Sequence, residues 1–238
     1  MARHLTRASG AFAALLTTVA VAAPAHADTA PDPAERLVGW NYDSLVRMFG
    51  QSWVGPRAVV EEGLPSLKRE MQRGSITNAS RKAAFLATLV SESAMRYDAD
   101  QYGATDKYHG RGYIQLSGDF NYEAAGNYFD VNLLRNPERA RSLRWSAPIA
   151  RWYWTVARTT TNAYADAHDM NGVNRNIGFA WNYDEATRRC NRFKSAYRYF
   201  TGHNPANTIC YPSRLPKPGS TDWYVNPQSK VTSATNSR

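Results

Sequence analysis

Residues 81–95 read Arg-Lys-Ala-Ala-Phe-Leu-Ala-Thr-Leu-Val-Ser-Glu-Ser-Ala-Met, a run of strong helix formers with no glycine or proline in it, and this run constrains the fold more than any other segment. Thr77, Asn78 or Ser80 can cap its start. On a helix, Phe85, Leu89 and Glu92 recur at i, i+4 and i+7, which puts the Glu92 carboxyl on or beside the apolar stripe. A charged group there is not a bystander. It is either satisfied by an arginine, with Arg111 and Arg175 as candidates, or it does chemistry. A carboxyl kept partly dry holds its proton more readily, which is what a proton donor working near neutral pH requires.

The remaining pattern is also helical. Residues 42–49 predict a short helix followed by a turn over 51–55; residues 57–73 predict an amphipathic helix interrupted near Pro65. Residues 96–112 lose all periodicity among Asp, Gly, Gln and Tyr and read as a loop, the kind of segment that carries catalytic groups. Residues 113–116 suggest a brief extended piece, and 121–128 return to helical character. Residues 146–156, with Trp152, Tyr153 and Trp154, predict a buried helix, and 184–200 a long amphipathic one. No series of strands with hairpin turns appears, so the fold class is mainly α.

Both ends read differently from the middle. Arg3, His4 and Arg7 precede an apolar run over 11–23 and the small-x-small site Ala25-His26-Ala27, so residues 1–27 are expected to be a signal peptide. The run is too short to span a membrane. Residues 28–35, with Pro31 and Pro33, read as a flexible start; 28–210 as one domain; and 211–238 as a Pro/Ser/Thr-rich tail with Trp223 and Tyr224 docked back onto the domain. In an exported chain, Cys190 and Cys210 are expected to form one disulfide. The formal charge of +9 suits anionic cell-wall polymers better than nucleic acid once export is assumed. His109, His168 and His203 lack metal-ligand spacing, and the chain has neither a phosphate-cradling glycine loop nor a Gly-x-Ser-x-Gly elbow. Paired carboxylates remain as the chemistry, and they need no cofactor and no metal.

The segment Lys107-Tyr-His-Gly-Arg-Gly-Tyr-Ile-Gln-Leu-Ser-Gly-Asp-Phe-Asn-Tyr122 resembles the signature of glycoside hydrolase family 19, the chitinase family: Lys-Tyr-Tyr/Phe-Gly-Arg-Gly-Pro-Ile-Gln-Leu-Ser/Thr, then Asn-Tyr. The likeness continues through Asp130-Val-Asn-Leu-Leu-Arg-Asn-Pro137 and the Trp-rich helix. The resemblance implies a lysozyme-like helical fold, two lobes around a substrate cleft. It implies a secreted, endo-acting, monomeric enzyme that cuts β-1,4 bonds in chitin, with peptidoglycan second because both present N-acetylglucosamine. Glu92 stands where the family has its general acid. The general base, a Glu in Tyr-x-x-Glu-Gln, is matched by Asp100 in Tyr97-Asp-Ala-Asp-Gln101, one methylene shorter, with Asp98 as the other acid at hand. Inverting glycosidases hold the two carboxyls about 6.5–9.5 Å apart so that a water fits.

Tyr97, Gln115, Ser117 and Asn121 carry over as substrate-binding residues, with Ser117 helping to orient the water. Arg111, between two glycines, is read as holding the loop. Tyr113 stands in place of the signature's Pro, and Phe120 in place of a Tyr. The family's Ile-Asn-Gly-Gly motif is replaced by Asn174-Arg-Asn-Ile-Gly178, where Asn171 or Asn176 can substitute for the missing Asn.

Overall fold

Asp32 accepts a hydrogen bond from the Ala34 backbone N–H at 2.9 Å, and Pro33 stands at the first helical position, where its missing N–H costs nothing. Helix α1 (Pro33–Gly39) therefore starts inside the stretch expected to be flexible. The computed structural model describes residues 32–178 and 182–213, all of them in the unit Pro31–Arg238. The expected signal peptide and almost all of the expected tail lie outside the described residues.

Helix α2 (Tyr42–Phe49) has the predicted bounds and is capped by Asn41, whose side chain accepts from Ser44 N–H. A 3₁₀ turn over Gln51–Trp53 leads into α3 (Arg57–Arg73). The expected interruption at Pro65 does not occur, and α3 runs straight through it. Pro65 and Glu61, whose carbonyl loses its partner, both lie on the exposed side, so water can satisfy the freed group.

Helix α4 (Ala79–Ser93) selects Asn78 from the three possible caps: its side chain accepts from Arg81 N–H at 2.8 Å. Ala83, Ala84, Phe85, Leu86, Ala87 and Leu89 are fully buried, so α4 is dry nearly all round, as a central helix must be. Each of its large side chains contributes about 1.5–3 kcal/mol by leaving water. It packs chiefly against α9 (Tyr183–Thr201) and also against α7 (Thr161–Asp166); Phe85 meets Trp154 of α6 (Ser146–Thr155) edge-on at 5.0 Å. Helix α3 packs on α6, while α1, α2 and α8 (Met170–Asn176) lean on α9. Helix α5 (Asp119–Phe129) closes the loop region.

Among the described residues there are isolated bridges but no strands. Residues 113–116 form a turn between the paired residues Arg111 and Leu116, where an extended piece was expected. Gly112 at φ 72° and Gln115 at φ 50° reverse the chain there, and a Cβ on Gly112 would come within 2.5 Å of the Ala140 carbonyl oxygen. Cys190 and Cys210 form the expected disulfide. It fastens the segment after α9, which is also held by Ile209, whose N–H donates to the His168 carbonyl and whose carbonyl accepts from Asn171. His168 supports the same clasp, with Nδ1 3.0 Å from the Ala206 carbonyl and Nε2 2.9 Å from Ser80 Oγ.

Candidate active site

Glu92 lies in the last turn of α4, one turn beyond fully buried Leu89, with its side chain 22% exposed. An arginine does satisfy it, but neither Arg111 nor Arg175: Arg189 of α9 donates from Nη2 to Oε1 at 2.7 Å. Arg189 is itself held by Glu185, one turn earlier, from Nε at 3.0 Å. The guanidinium thus joins two carboxyls across the packed α4 and α9 pair. Among the described residues, Oε2 of Glu92 has no hydrogen-bond partner. Arg192, a turn further along α9, donates to Ser91 Oγ at 2.7 Å and lies 4.2 Å from the ring centre of half-exposed Trp53. Desolvation holds the Arg192 guanidinium below its usual value, with Glu185 working in the opposite sense.

Immediately after Glu92 the chain turns sharply. Ala94 and Met95 both take left-handed conformations, at φ 52° and 63°, and the Ala94 carbonyl accepts from Gly55 N–H. The loop that follows pairs with itself: Gly112 N–H donates to the Ala99 carbonyl, Gln101 N–H to the Gly110 carbonyl, and Asp100 faces Arg111. This register sets the surroundings of Asp100. Its Oδ1 lies 2.7 Å from His109 Nε2 and 3.6 Å from Arg111 Nε, and its Oδ2 lies 3.8 Å from an Arg141 nitrogen. Arg111 is buried and holds the loop, donating to the Lys107 carbonyl, the Tyr122 hydroxyl and Glu138. The Arg141 hydrogen bond keeps the Glu138 carboxyl below the usual range. Asp98 is paired with Arg96.

The two candidate acids thus occupy separate ion-pair networks that share no side chain among the described residues. Of the expected sugar contacts, Ser117 is exposed, while Asn121 is buried and donates to the Ser117 carbonyl at 2.8 Å. Gln115 donates to the Gly112 carbonyl, and Tyr97 donates to Glu62 at 2.7 Å, tying the loop to α3. Asn176 donates to Thr160 and Thr161, so its amide already has structural work. The surface hollow lined by Phe129, Arg139, Arg144 and Trp145 includes neither acid. Sequence reasoning missed Arg189, Glu185, Arg192, Trp53 and the His109 contact. The i, i+4 spacing of Glu185 and Arg189 was readable; their meeting with Glu92, 97 residues away, was not.

Residues 83–201 match the family described as chitinase class I. An endochitinase of Avena sativa is 35% identical over 94 residues, covering 37% of this chain and 46% of the relative. Acidic endochitinase SP2 of Beta vulgaris is 36% identical over 89 residues, covering 32% of this chain and 31% of that one. The chain spans less than half the length of these curated relatives. Among solved structures, chitinase C from Streptomyces griseus HUT6037 superposes with a TM-score of 0.52 at 24% identity, covering 71% of this chain and 79% of that one. A bacterial family 19 chitinase superposes with a TM-score of 0.53 at 23% identity, covering 71% and 98%. The fold is the mainly α, lysozyme-like helical one expected from the sequence.

Proposed function

Because the chain belongs to the chitinase class I family, glycoside hydrolase family 19, we propose that it is a secreted, endo-acting glycosidase that cuts β-1,4 bonds between N-acetylglucosamine units. Chitin is the first substrate and peptidoglycan the second. In the proposed mechanism Glu92 protonates the leaving glycosidic oxygen while Asp100 takes a proton from a water attacking the opposite face, so the anomeric configuration inverts.

The observation that carries the reading is the setting of Glu92. It emerges at the end of the buried helix α4 with its side chain 22% exposed, Arg189 donates to Oε1, and Oε2, without a partner among the described residues, is the oxygen from which the proposed proton is delivered. Arg189 fixes the carboxyl's orientation, and Glu185 fixes Arg189. Trp53, reached through Arg192, and fully exposed Tyr102 in the Asp100 loop offer rings on which sugars can stack. Gln115, Ser117 and Asn121 contribute through the turn they build as well as through any side-chain contact with sugar.

The same ion pair favours a second reading, a wall-glycan-binding relative that does not cut, because a carboxyl held by an arginine is also a complete structural unit. Hydrolysis of a chito-oligosaccharide decides between them. Under the enzymatic reading Glu92→Gln lowers kcat by about 10²–10⁴-fold while binding persists, and the first product formed by the wild type is the α-anomer. Equal, negligible turnover in both proteins, with binding retained, establishes the second reading.

A further inference from the structure

His109 occupies a signature position that resembles a Tyr or Phe site in the family, and its ring touches the acid assigned above as the base. Both of its ring nitrogens face oxygen atoms. Nδ1 lies 2.5 Å from the Asp106 carbonyl oxygen, which can only accept, so Nδ1 carries a hydrogen. Nε2 lies 2.7 Å from Asp100 Oδ1, a distance at which a bare nitrogen lone pair and a carboxylate oxygen repel, so a second proton lies between them. The other groups facing the pair are Arg111 and Arg141, both bonded to Glu138, and the Tyr122 hydroxyl, which donates to the His109 carbonyl. Arg111 and Arg141 approach the two Asp100 oxygens at 3.6 and 3.8 Å, with Asp98 also acting on Arg141, so the His109 contact at 2.7 Å is the shortest that Asp100 makes.

We infer that His109 is the positioning residue for Asp100: through a hydrogen on Nε2 it pins Oδ1 and leaves Oδ2 to receive a proton from water. The inference rests on Asp100 being the base of the proposed reaction. A second observation supports it. Arg111 Nε is buried with no hydrogen-bond partner among the described residues, and it lies 3.6 Å from the same Oδ1, just beyond bonding distance. The carboxyl is therefore held toward His109 in preference to a waiting buried donor. If the Nε2 proton is removed, repulsion turns Oδ1 toward Arg111 and carries the base out of its pose.

Imidazole ¹H–¹⁵N spectra of the whole chain near neutral pH test this directly, alongside kinetics. The wild type is expected to show His109 with hydrogens on both ring nitrogens, and Asp100→Asn to show a neutral ring protonated at Nδ1 alone. Replacing His109 by Phe, the family's residue type, should lower kcat about 10–100-fold with KM within about twofold, and His109→Gln, which keeps an N–H donor, should recover most of the loss. A wild-type ring with a bare Nε2, or an unchanged kcat in His109→Phe, overturns the inference. If the wild type shows no turnover, the proposed function fails instead, and the spectra still decide whether His109 holds Asp100.

Discussion

Ala94 and Met95 are consecutive left-handed residues without being glycines, and they sit where the chain leaves the helix that carries Glu92. Such a conformation costs an L-residue about 1–2 kcal/mol, and helices commonly place glycine at this point to avoid it. Ala94 is the one that can be relieved, because Met95 is fully buried and its side chain is needed for packing. Ala94→Gly is therefore expected to raise stability by about 0.5–1 kcal/mol, or roughly 2–3 °C in Tm by calorimetry, despite glycine's greater freedom in the unfolded chain. A fall in Tm would mean that the turn is not strained. The candidate site was legible in the sequence only in part, and the division has a physical basis. Glu92 could be named as a candidate because helical periodicity places it on the apolar stripe, and Asp100 because it stands in a motif. Arg189 could not be found, since nothing local to residue 92 encodes which arginine of a distant helix will reach it. Arg111 was a candidate for Glu92 and instead turned inward to the Lys107 carbonyl, the Tyr122 hydroxyl and Glu138, because the paired loop buries it there.

The helices themselves were the most readable part, for the reason that α2, α4, α6 and α9 owe their form to apolar periodicity, which is visible along one stretch of chain. The short α1 and α7 bury too few residues to leave such a signature, α8 offers just Met170 and Val173 as buried apolar side chains, and α3 hid its continuity behind Pro65. What docks α3 onto α6 is also invisible locally. Glu70 of α3, 3% exposed, accepts from Arg151 of α6 at 3.1 Å and from Arg73 at 2.5 Å. Removing one partner of a buried pair leaves the other charge uncompensated, whereas removing both is far milder. Glu70→Ala is accordingly expected to cost about 3 kcal/mol in chemical denaturation, and Glu70→Ala with Arg151→Met to recover most of it. If the double variant is as unstable as the single one, packing and not charge joins these two helices.

For the whole molecule, the buried ionisable groups set opposing trends in alkaline stability. Burial lowers the Lys68 and Lys82 ammonium values; their nitrogens donate to the Trp40 and Leu37 carbonyls at the end of α1 and just beyond it. With the folded value below the unfolded one, the unfolded chain binds more protons in the window between them, so stability rises with pH there. Tyr113 acts in the other direction. Burial pushes its hydroxyl up, so its contribution is fully present below the ordinary phenol range, near 10, and is lost as pH rises through that range and above it. Tyr122 is raised as well, by burial, against the Arg111 hydrogen bond that lowers it. The Tyr113 hydroxyl also lacks a hydrogen-bond partner among the described residues, at 1% exposure, wedged where a Cβ on Gly63 would come within 2.1 Å of it. An unpartnered buried hydroxyl costs about 1–3 kcal/mol in lost solvation. Tyr113→Phe removes that hydroxyl and keeps the ring, so it is expected to raise stability by about 1 kcal/mol at neutral pH and to make the decline above pH 10 shallower than in the wild type. Denaturation curves at matched pH values check both halves together. A loss of stability at neutral pH would mean that the hydroxyl has a partner, and an unchanged alkaline slope would mean that the phenol is not what titrates.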